Sequence, residues 1–117
     1  MKSIKIILSP EAEEVYNFLI AQAPNSKTES SILNAFNKKK DLIKLNPHYG
    51  NPIAKRLIPK EYFLKYGINN LFRVELPNYW RMLYTLTNDE SEVNIIGFVL
   101  DIIDHKEYNK KFGYKNK

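Results

Sequence analysis

Several features that commonly identify a protein class are missing from this sequence. None of its 117 residues is cysteine, so disulfides and thiolate metal sites are excluded. No apolar run approaches the roughly 20 residues that a membrane-spanning helix needs. The apolar residues near the start, Ile4 and Ile6 to Leu8, are too few for a secretion signal. We therefore expect a cytoplasmic protein with no membrane segment.

The composition is typical of one folded domain with a basic surface. Hydrophobic residues make up 44% and charged residues 26% of the chain, and no internal repeat, low-complexity tract or linker divides it, so we expect a single domain over residues 1–117. The formal net charge of +5 favours an acidic partner, most commonly nucleic acid. Lys55 and Arg56, before the predicted sheet, are candidate RNA contacts. The run Lys38 to Lys40 is more typical of a solvated helix face.

The first half of the chain predicts a strand followed by two helices. The β-branched residues of Ser3 to Leu8 favour a strand, and Ser9 with Pro10 forms the start of a helix that stops at Pro24. Ser26 and Glu29 have the spacing of a capping box, which begins a second amphipathic helix that ends before Pro47. Two helices with a short connection should pack as an antiparallel hairpin.

The second half predicts strands. Residues 47–59 have the Pro, Gly and Asn content of an ordered loop, and 62–86 is interpreted as a hairpin with its turn near residues 77–78. Period-two alternation places Phe72, Val74 and Leu76 towards the helices. Arg73 and, on the returning strand, Arg81 then point to the opposite, partly open face. After a turn at residues 88–91, the apolar run 93–103 predicts a central strand covered on both sides.

The predicted fold class is therefore α+β. It comprises an N-terminal strand, a helical hairpin, a three-stranded antiparallel meander that completes the sheet, and a short C-terminal helix. We expect the helices to lie on one face of the sheet.

The last fourteen residues, 104–117, are the most informative segment for function. They contain His105, Tyr108, Tyr114 and five lysines directly behind the apolar strand. Imidazole and phenol groups can exchange protons, and ammonium groups bind phosphate, a combination suited to chemistry on RNA. Three of the lysines are candidate RNA contacts: Lys106, Lys110 and Lys111. The alternative is a solvated basic tail.

Cleavage of RNA through its ribose 2′-hydroxyl needs a base, an acid and a cation. His105 or Glu75 could be the base, and His105 or Tyr108 the acid. Arg73 and Arg81 suit a phosphate clamp, because guanidinium binds phosphate through two parallel hydrogen bonds. Each residue also has a structural interpretation, since Arg73 can form a surface ion pair with Glu75, His105 can begin a helix, and Tyr108 can simply pack.

No cofactor or metal ion is implied by this pattern. The residues Asp101, Asp104 and His105 offer carboxylate and imidazole groups, but their grouping has no established ligand spacing.

The paired segments Leu71 to Leu76 and Tyr79 to Tyr84 resemble the strand signature of the RelE/ParE toxin superfamily. The segment Asp104 to Tyr108 is similar to the place where that family ends in a basic or histidine-containing motif and a tyrosine. The resemblance implies a RelE-like fold and a toxin that cuts messenger RNA in the ribosomal A site without a metal. Its partners would be mRNA with the ribosome and a cognate small antitoxin, and the toxin would be a monomer alone or part of a toxin–antitoxin hetero-oligomer.

In that resemblance Arg81 matches the strand arginine that contacts the scissile phosphate, Arg73 a neighbouring basic position, and Tyr108 the C-terminal tyrosine. His105 falls near a position that is basic or histidine in different branches. Glu75 is a departure, because it stands where some ribonuclease members carry lysine. Two alternatives therefore stay open: a non-catalytic or ParE-like toxin that inhibits a protein such as DNA gyrase, and a plain RNA-binding protein with no antitoxin.

Overall fold

A five-stranded mixed sheet forms the centre of the molecule in the computed structural model, which describes residues 3–88 and 94–113. The strands are β1 (Ser3–Leu8), β2 (Asn51–Pro52), β3 (Phe72–Leu76), β4 (Trp80–Asn88) and β5 (Asn94–Ile103). Their order across the sheet is β1-β5-β4-β3-β2, with β1 parallel to β5 and the other neighbours antiparallel. The α+β fold class is thus confirmed. The predicted turn at residues 88–91 lies largely outside the described residues.

The helices in the described ranges are α1 (Pro10–Gln22), α2 (Lys27–Leu45), α3 (Lys60–Tyr66) and α4 (His105–Phe112). Within these ranges, no helix combines the length and the apolar character needed to cross a membrane. The predicted N-cap of α1 is confirmed, because Ser9 Oγ accepts a hydrogen bond from Ala12 N at 3.0 Å. The same hydroxyl donates to the Leu100 carbonyl of β5 at 2.6 Å, which ties the helix start to the sheet.

The hairpin of α1 and α2 covers one face of the sheet, which we call the hairpin face. As expected, Phe72, Val74 and Leu76 of β3 point towards it, together with Met82 and Tyr84 of β4. The helices contribute the fully or almost fully buried residues Ala12, Leu19, Ile32, Phe36 and Ile43. Apolar burial of this kind is the main favourable term in folding, so this face holds the principal core.

The opposite face of the sheet, which we call the α4 face, is also covered by helices. The expectation that all helices lie on one side of the sheet is therefore wrong. The α4 face is covered by α3 and α4 over a second cluster of buried residues: Ile58, Tyr62, Ile68, Leu71, Leu83, Leu100, Ile103 and Tyr108. The predicted hairpin from residue 62 was wrong at its start, because Lys60–Tyr66 is helical. Pro59 precedes that helix and Gly67 ends it with a φ of 62°, a left-handed conformation that glycine adopts without strain.

The segment 47–59, predicted as an ordered loop, contains the edge strand β2 and a 3-10 turn at Lys55–Leu57. The buried Tyr84 fixes its first part, since the phenol accepts a hydrogen bond from Gly50 N at 2.9 Å and donates to the Pro47 carbonyl at 2.7 Å. A Cβ atom on Gly50 would lie only 2.9 Å from Tyr84 Cε1. The backbone therefore lies so close to the Tyr84 ring that only glycine fits at this position.

Candidate functional site

The pairing of β3 with β4 brings two arginines and a glutamate together on the α4 face. Glu75 lies directly opposite Arg81, and Arg73 is two residues before Glu75 on the same strand face. The Glu75 carboxylate lies 3.1 Å from Arg73 Nε and 3.6 Å from Arg81 Nε. Two guanidinium groups from neighbouring strands therefore meet at one carboxylate. The surface ion pair weighed for Arg73 is present, and it includes Arg81 as well.

Helix α4 adds Tyr108 to this group. Arg73 Nη1 donates a hydrogen bond to the Tyr108 hydroxyl at 3.2 Å. The guanidinium carbon of Arg81 lies 4.7 Å from the centroid of the Tyr108 ring and that of Arg73 lies 5.9 Å from it, within the range of cation–π attraction. Tyr108 is only 3% exposed. We call Arg73, Glu75, Arg81 and Tyr108 the arginine cluster.

His105 lies at the margin of the arginine cluster. It is half-buried in the first turn of α4, three residues before Tyr108 and so on a neighbouring part of the helix surface. Its ring meets the ring of Tyr79 edge-on, with 5.8 Å between centroids, and the Tyr79 carbonyl accepts a hydrogen bond from Arg81 Nη1 at 3.0 Å. The structure therefore joins Arg73, Arg81 and Tyr108 directly, and His105 to them through Tyr79.

Tyr79, which links His105 to Arg81, was not predicted as part of the site. It lies in the turn between β3 and β4, Pro77–Tyr79, where Asn78 and Tyr79 have φ values of 60° and 63°. Such left-handed conformations are uncommon for residues other than glycine and concentrate at functional sites. The sequence signal was the Pro77-Asn78 turn, which locates a turn without giving its backbone conformation.

A second polar network on the α4 face fixes the far end of α4. The Tyr62 hydroxyl donates to the buried Asp101 carboxylate at 2.5 Å, while Lys111 Nζ lies 3.1 Å from Glu61 and 3.8 Å from Asp101. Burial raises the pKa of Asp101 above its usual range, against the opposing effects of the Tyr62 hydrogen bond and the Lys111 charge. Burial and the Asp101 charge also raise the pKa of Tyr62.

Lys111, a predicted RNA contact, is thus already paired within the protein. Burial acts to lower its pKa, but the bond to Glu61 and the charge of Asp101 outweigh this effect and raise it. Its ammonium group joins α4 to α3 and β5. An RNA phosphate would have to compete with two carboxylates for this group.

The other predicted RNA contacts are exposed. Lys106 and Lys110 lie on the surface of α4, and Lys55 and Arg56 lie on the 3-10 turn after β2, the strand next to β3. Their role in RNA binding stays a prediction. Tyr114 and the two lysines beyond it lie outside the described residues.

A hollow of about 310 Å³, which the sequence does not predict, lies beside the arginine cluster. This edge hollow is lined by Lys39, Tyr49, Gly50, Asn51, Arg73, Val74 and Glu75. Lys39 Nζ donates a hydrogen bond to the Tyr49 hydroxyl at 3.0 Å. Lys39 belongs to the run expected on a solvated helix face, and no local sequence pattern indicates that it contacts Tyr49 beyond the end of α2.

Metal ligation has no support in the described ranges, where no group of three or more His, Asp or Glu side chains is arranged to hold a metal ion. Asp104, considered above with Asp101 and His105, instead caps α4, because its carboxylate accepts a hydrogen bond from Glu107 N at 2.9 Å.

No protein-family model matches the sequence, and comparison with curated proteins gives no match. Among solved structures, the chain is similar to a YoeB/ParE toxin from Agrobacterium tumefaciens. The two share 17% sequence identity and a TM-score of 0.57, over 86% of this chain and 98% of that one. The likeness shows a RelE/ParE-like toxin fold, which confirms the fold that the strand and C-terminal segments implied.

Proposed function

We propose that this protein, whose fold is that of the RelE/ParE toxins, is itself a toxin that cleaves messenger RNA in the cytoplasm without a metal ion. The observation that supports this most directly is the arginine cluster. Guanidinium groups from two neighbouring strands converge on one point of the α4 face, with His105 one helical turn from the tyrosine beneath them. A phosphodiester at that point would be neutralised on two sides.

The proposed reaction is an internal transfer at phosphorus. A base takes the proton of the ribose 2′-hydroxyl, whose oxygen then bonds to the adjacent phosphorus. The bond from phosphorus to the 5′-oxygen breaks, and an acid gives that oxygen a proton. One product ends in a 2′,3′-cyclic phosphate and the other in a 5′-hydroxyl. Arg73 and Arg81 would stabilise the negative charge that gathers on the phosphoryl oxygens.

Burial separates the roles open to the candidate acids and bases. Tyr108 is 3% exposed and lies under both guanidinium groups, which suits a residue that holds them in place. The Glu75 side chain is 55% exposed, and His105 is half-buried at the margin. We therefore favour Glu75 and His105 as the proton-transfer pair, with the Glu75 carboxylate leaving the guanidinium groups when a phosphate arrives.

Cleavage of ribosome-bound messenger RNA by the purified protein, in the presence of EDTA, tests this proposal. Wild type should produce fragments with cyclic-phosphate and 5′-hydroxyl ends. Arg81→Ala should lower the cleavage rate about 10²- to 10³-fold, the usual loss when one group that stabilises transition-state charge is removed. Lys44→Ala is a matched control, because Lys44 is an exposed cation on α2.

Circular dichroism and thermal unfolding would show whether each variant keeps its fold. Intact messenger RNA with wild type, or equal rates for wild type and Arg81→Ala, would contradict the proposal.

The proposed partner is a small antitoxin that covers the basic α4 face and blocks or displaces α4. A gene for a short acidic protein beside the gene for this chain is the expected source. Expression of the chain alone should arrest growth, and co-expression of that neighbour should restore it. Arrest that no neighbouring gene relieves would contradict the antitoxin part of the proposal.

One observation favours the second candidate, a toxin that inhibits a protein such as DNA gyrase. Glu75 offsets one of the two guanidinium charges, so Arg73, Glu75 and Arg81 together carry a formal charge of +1. A gyrase supercoiling assay separates the two activities. Blocked supercoiling with intact messenger RNA would support this candidate, whereas RNA crosslinking without growth arrest would support a plain RNA-binding protein.

A further inference from the structure

The edge hollow shares two walls with the arginine cluster. Arg73 and Glu75 line both, while Lys39, Tyr49 and Asn51 line only the hollow. Asn51 pairs with Arg73 in the β2–β3 ladder, which fixes the distance between the two regions. A molecule bound at the cluster could therefore extend directly into the hollow.

The other walls carry side chains of the types that bind single-stranded nucleic acid in proteins generally. Tyr49 is 37% exposed, and Lys39 Nζ lies 5.5 Å from its ring centroid. Aromatic rings stack on bases, lysines contact phosphates, and amides such as that of Asn51 bind base edges. The volume of about 310 Å³ is at the small end of ligand sites, which span about 300–1,000 Å³, and it fits one small unit of a polymer.

The walls of the hollow are also held in place before any ligand arrives. Gly50, between Tyr49 and Asn51, is fixed by its hydrogen bond to the buried Tyr84 hydroxyl. Lys39 belongs to α2, whose residues Phe36 and Ile43 are fully buried in the hairpin face. A preformed site loses less conformational entropy on binding than a mobile one.

From these observations we infer that the edge hollow is a nucleotide subsite, which binds the residue of a single-stranded RNA next to the phosphate held by Arg73 and Arg81. Its base stacks on Tyr49 and its outer phosphate contacts Lys39. This inference rests on the proposed ribonuclease function and adds to it a contact that selects single-stranded over paired RNA, because a base within a duplex is not available for stacking on a side chain.

Binding of a short labelled single-stranded RNA, methylated on its 2′-hydroxyls so that it cannot be cleaved, tests the subsite by fluorescence anisotropy. Tyr49→Ala and Lys39→Ala should each weaken binding about tenfold. Tyr49→Phe keeps the ring and should bind nearly as well as wild type. Lys44→Ala removes the same charge from the same helix as Lys39→Ala and should change binding little.

Crosslinking adds a measurement that needs no variant. Wild-type protein irradiated with the same RNA carrying 4-thiouridine should give a crosslink at Tyr49, identified by mass spectrometry. Crosslinks only at other residues would overturn the subsite, even if the Tyr49→Ala variant failed to fold.

The outcomes separate this inference from the proposed function. If wild type binds the RNA and Arg81→Ala weakens binding while the Tyr49 and Lys39 variants do not, the subsite is wrong and the ribonuclease proposal stands. If Lys39→Ala and Lys44→Ala weaken binding equally, the contact is general electrostatics and the subsite is again wrong. Absence of RNA binding by wild type overturns the subsite whatever the cleavage assay shows.

Discussion

The two faces of the central sheet are built from different contacts. The hairpin face is closed by apolar side chains, and the large residues at its centre, such as Phe36 and Tyr84, have no solvent exposure. The α4 face also buries apolar residues, but it places Asp101 among them and holds α4 through charged groups. Both α4 and α3 are short, at 8 and 7 residues, against 13 and 19 for the hairpin helices.

This difference accords with a division of roles in which the hairpin face stabilises the fold and the α4 face carries the proposed site. Apolar burial stabilises without needing exact alignment of charges, whereas buried ions are costly unless their partners are well placed. On the α4 face, which carries the arginine cluster, the buried Asp101 carboxylate brings this energetic cost. The proposed site would need its groups fixed in a defined geometry, and a hydrogen-bonded support such as Tyr62 with Asp101 would provide it.

Shortening a side chain in the apolar core is the strongest test of whether the two faces have separate roles. Phe36→Ala should lower the free energy of unfolding by about 3–5 kcal/mol, because it leaves a cavity in the hairpin face. Chemical denaturation measures this loss. At a temperature where the variant is still folded, its affinity for RNA should equal that of wild type. A folded Phe36→Ala protein with weakened RNA binding would show that the two faces are coupled.

Removal of one hydroxyl tests the polar support of the α4 face. Tyr62→Phe should cost about 1–3 kcal/mol of stability, because the buried Asp101 carboxylate loses its donor. Tyr66→Phe is the matched control, since its hydroxyl bonds the more exposed Glu11 at 2.5 Å and should cost less. Equal unfolding midpoints for the two variants would mean that burial of Asp101 has no energetic consequence.

The Tyr108 hydroxyl provides a smaller test within the arginine cluster. Tyr108→Phe keeps the ring under both guanidinium groups and removes only the hydrogen bond from Arg73. If Tyr108 holds the arginines, cleavage should fall by about tenfold or less, the effect of one hydrogen bond. A fall of about 10²- to 10⁴-fold with unchanged RNA affinity would instead identify Tyr108 as the acid.

The pH dependence of stability should differ in sign between two carboxyl groups, and this is the smallest effect expected. Burial raises the pKa of Asp101 in the folded protein. Its contribution to folding stability is therefore present at low pH and is lost as the pH rises through that raised pKa. Hydrogen bonds from Lys65 and Tyr66 lower the pKa of Glu11 to about 2 in the folded protein. Its contribution to folding stability is therefore present above the pKa of the unfolded chain and is lost as the pH falls towards about 2.

Thermal unfolding of Asp101→Asn and Glu11→Gln against pH would measure these slopes. Asp101→Asn should become more stable relative to wild type as pH rises, and Glu11→Gln less stable. Salt should reduce the Glu11 effect, because that pair is on the surface. Parallel curves for both variants and wild type would contradict both assignments.

Local patterns were enough to predict the hairpin face and the direction of the two strand arginines. Ser9 and Ser26 capped the helices as expected, and the alternation through Phe72 and Val74 gave the correct face of β3. The helix α3 was missed because its 7 residues contain too few turns to show a helical period beside the strand-like Tyr62 and Phe63.

The contacts of the candidate site were harder to predict, because they join residues far apart in sequence. Arg73 meets Tyr108 across 35 residues, and Tyr49 meets Lys39 across the end of a helix. Residue type could nominate Arg73, Arg81, His105 and Tyr108 as a group. Sequence could not show that Glu75 lies between the two guanidinium groups or that Lys111 is paired with Glu61.

The parallel pairing of β1 with β5 has a consequence for how the molecule is made. Residues 3–8 find their partners only at residues 94–99, and Ser9 bonds a carbonyl 91 positions later. Contacts of such long range must wait for most of the polypeptide to leave the ribosomal tunnel. Since α4 follows β5, the arginine cluster can form only after residues 105–112 have also left the tunnel.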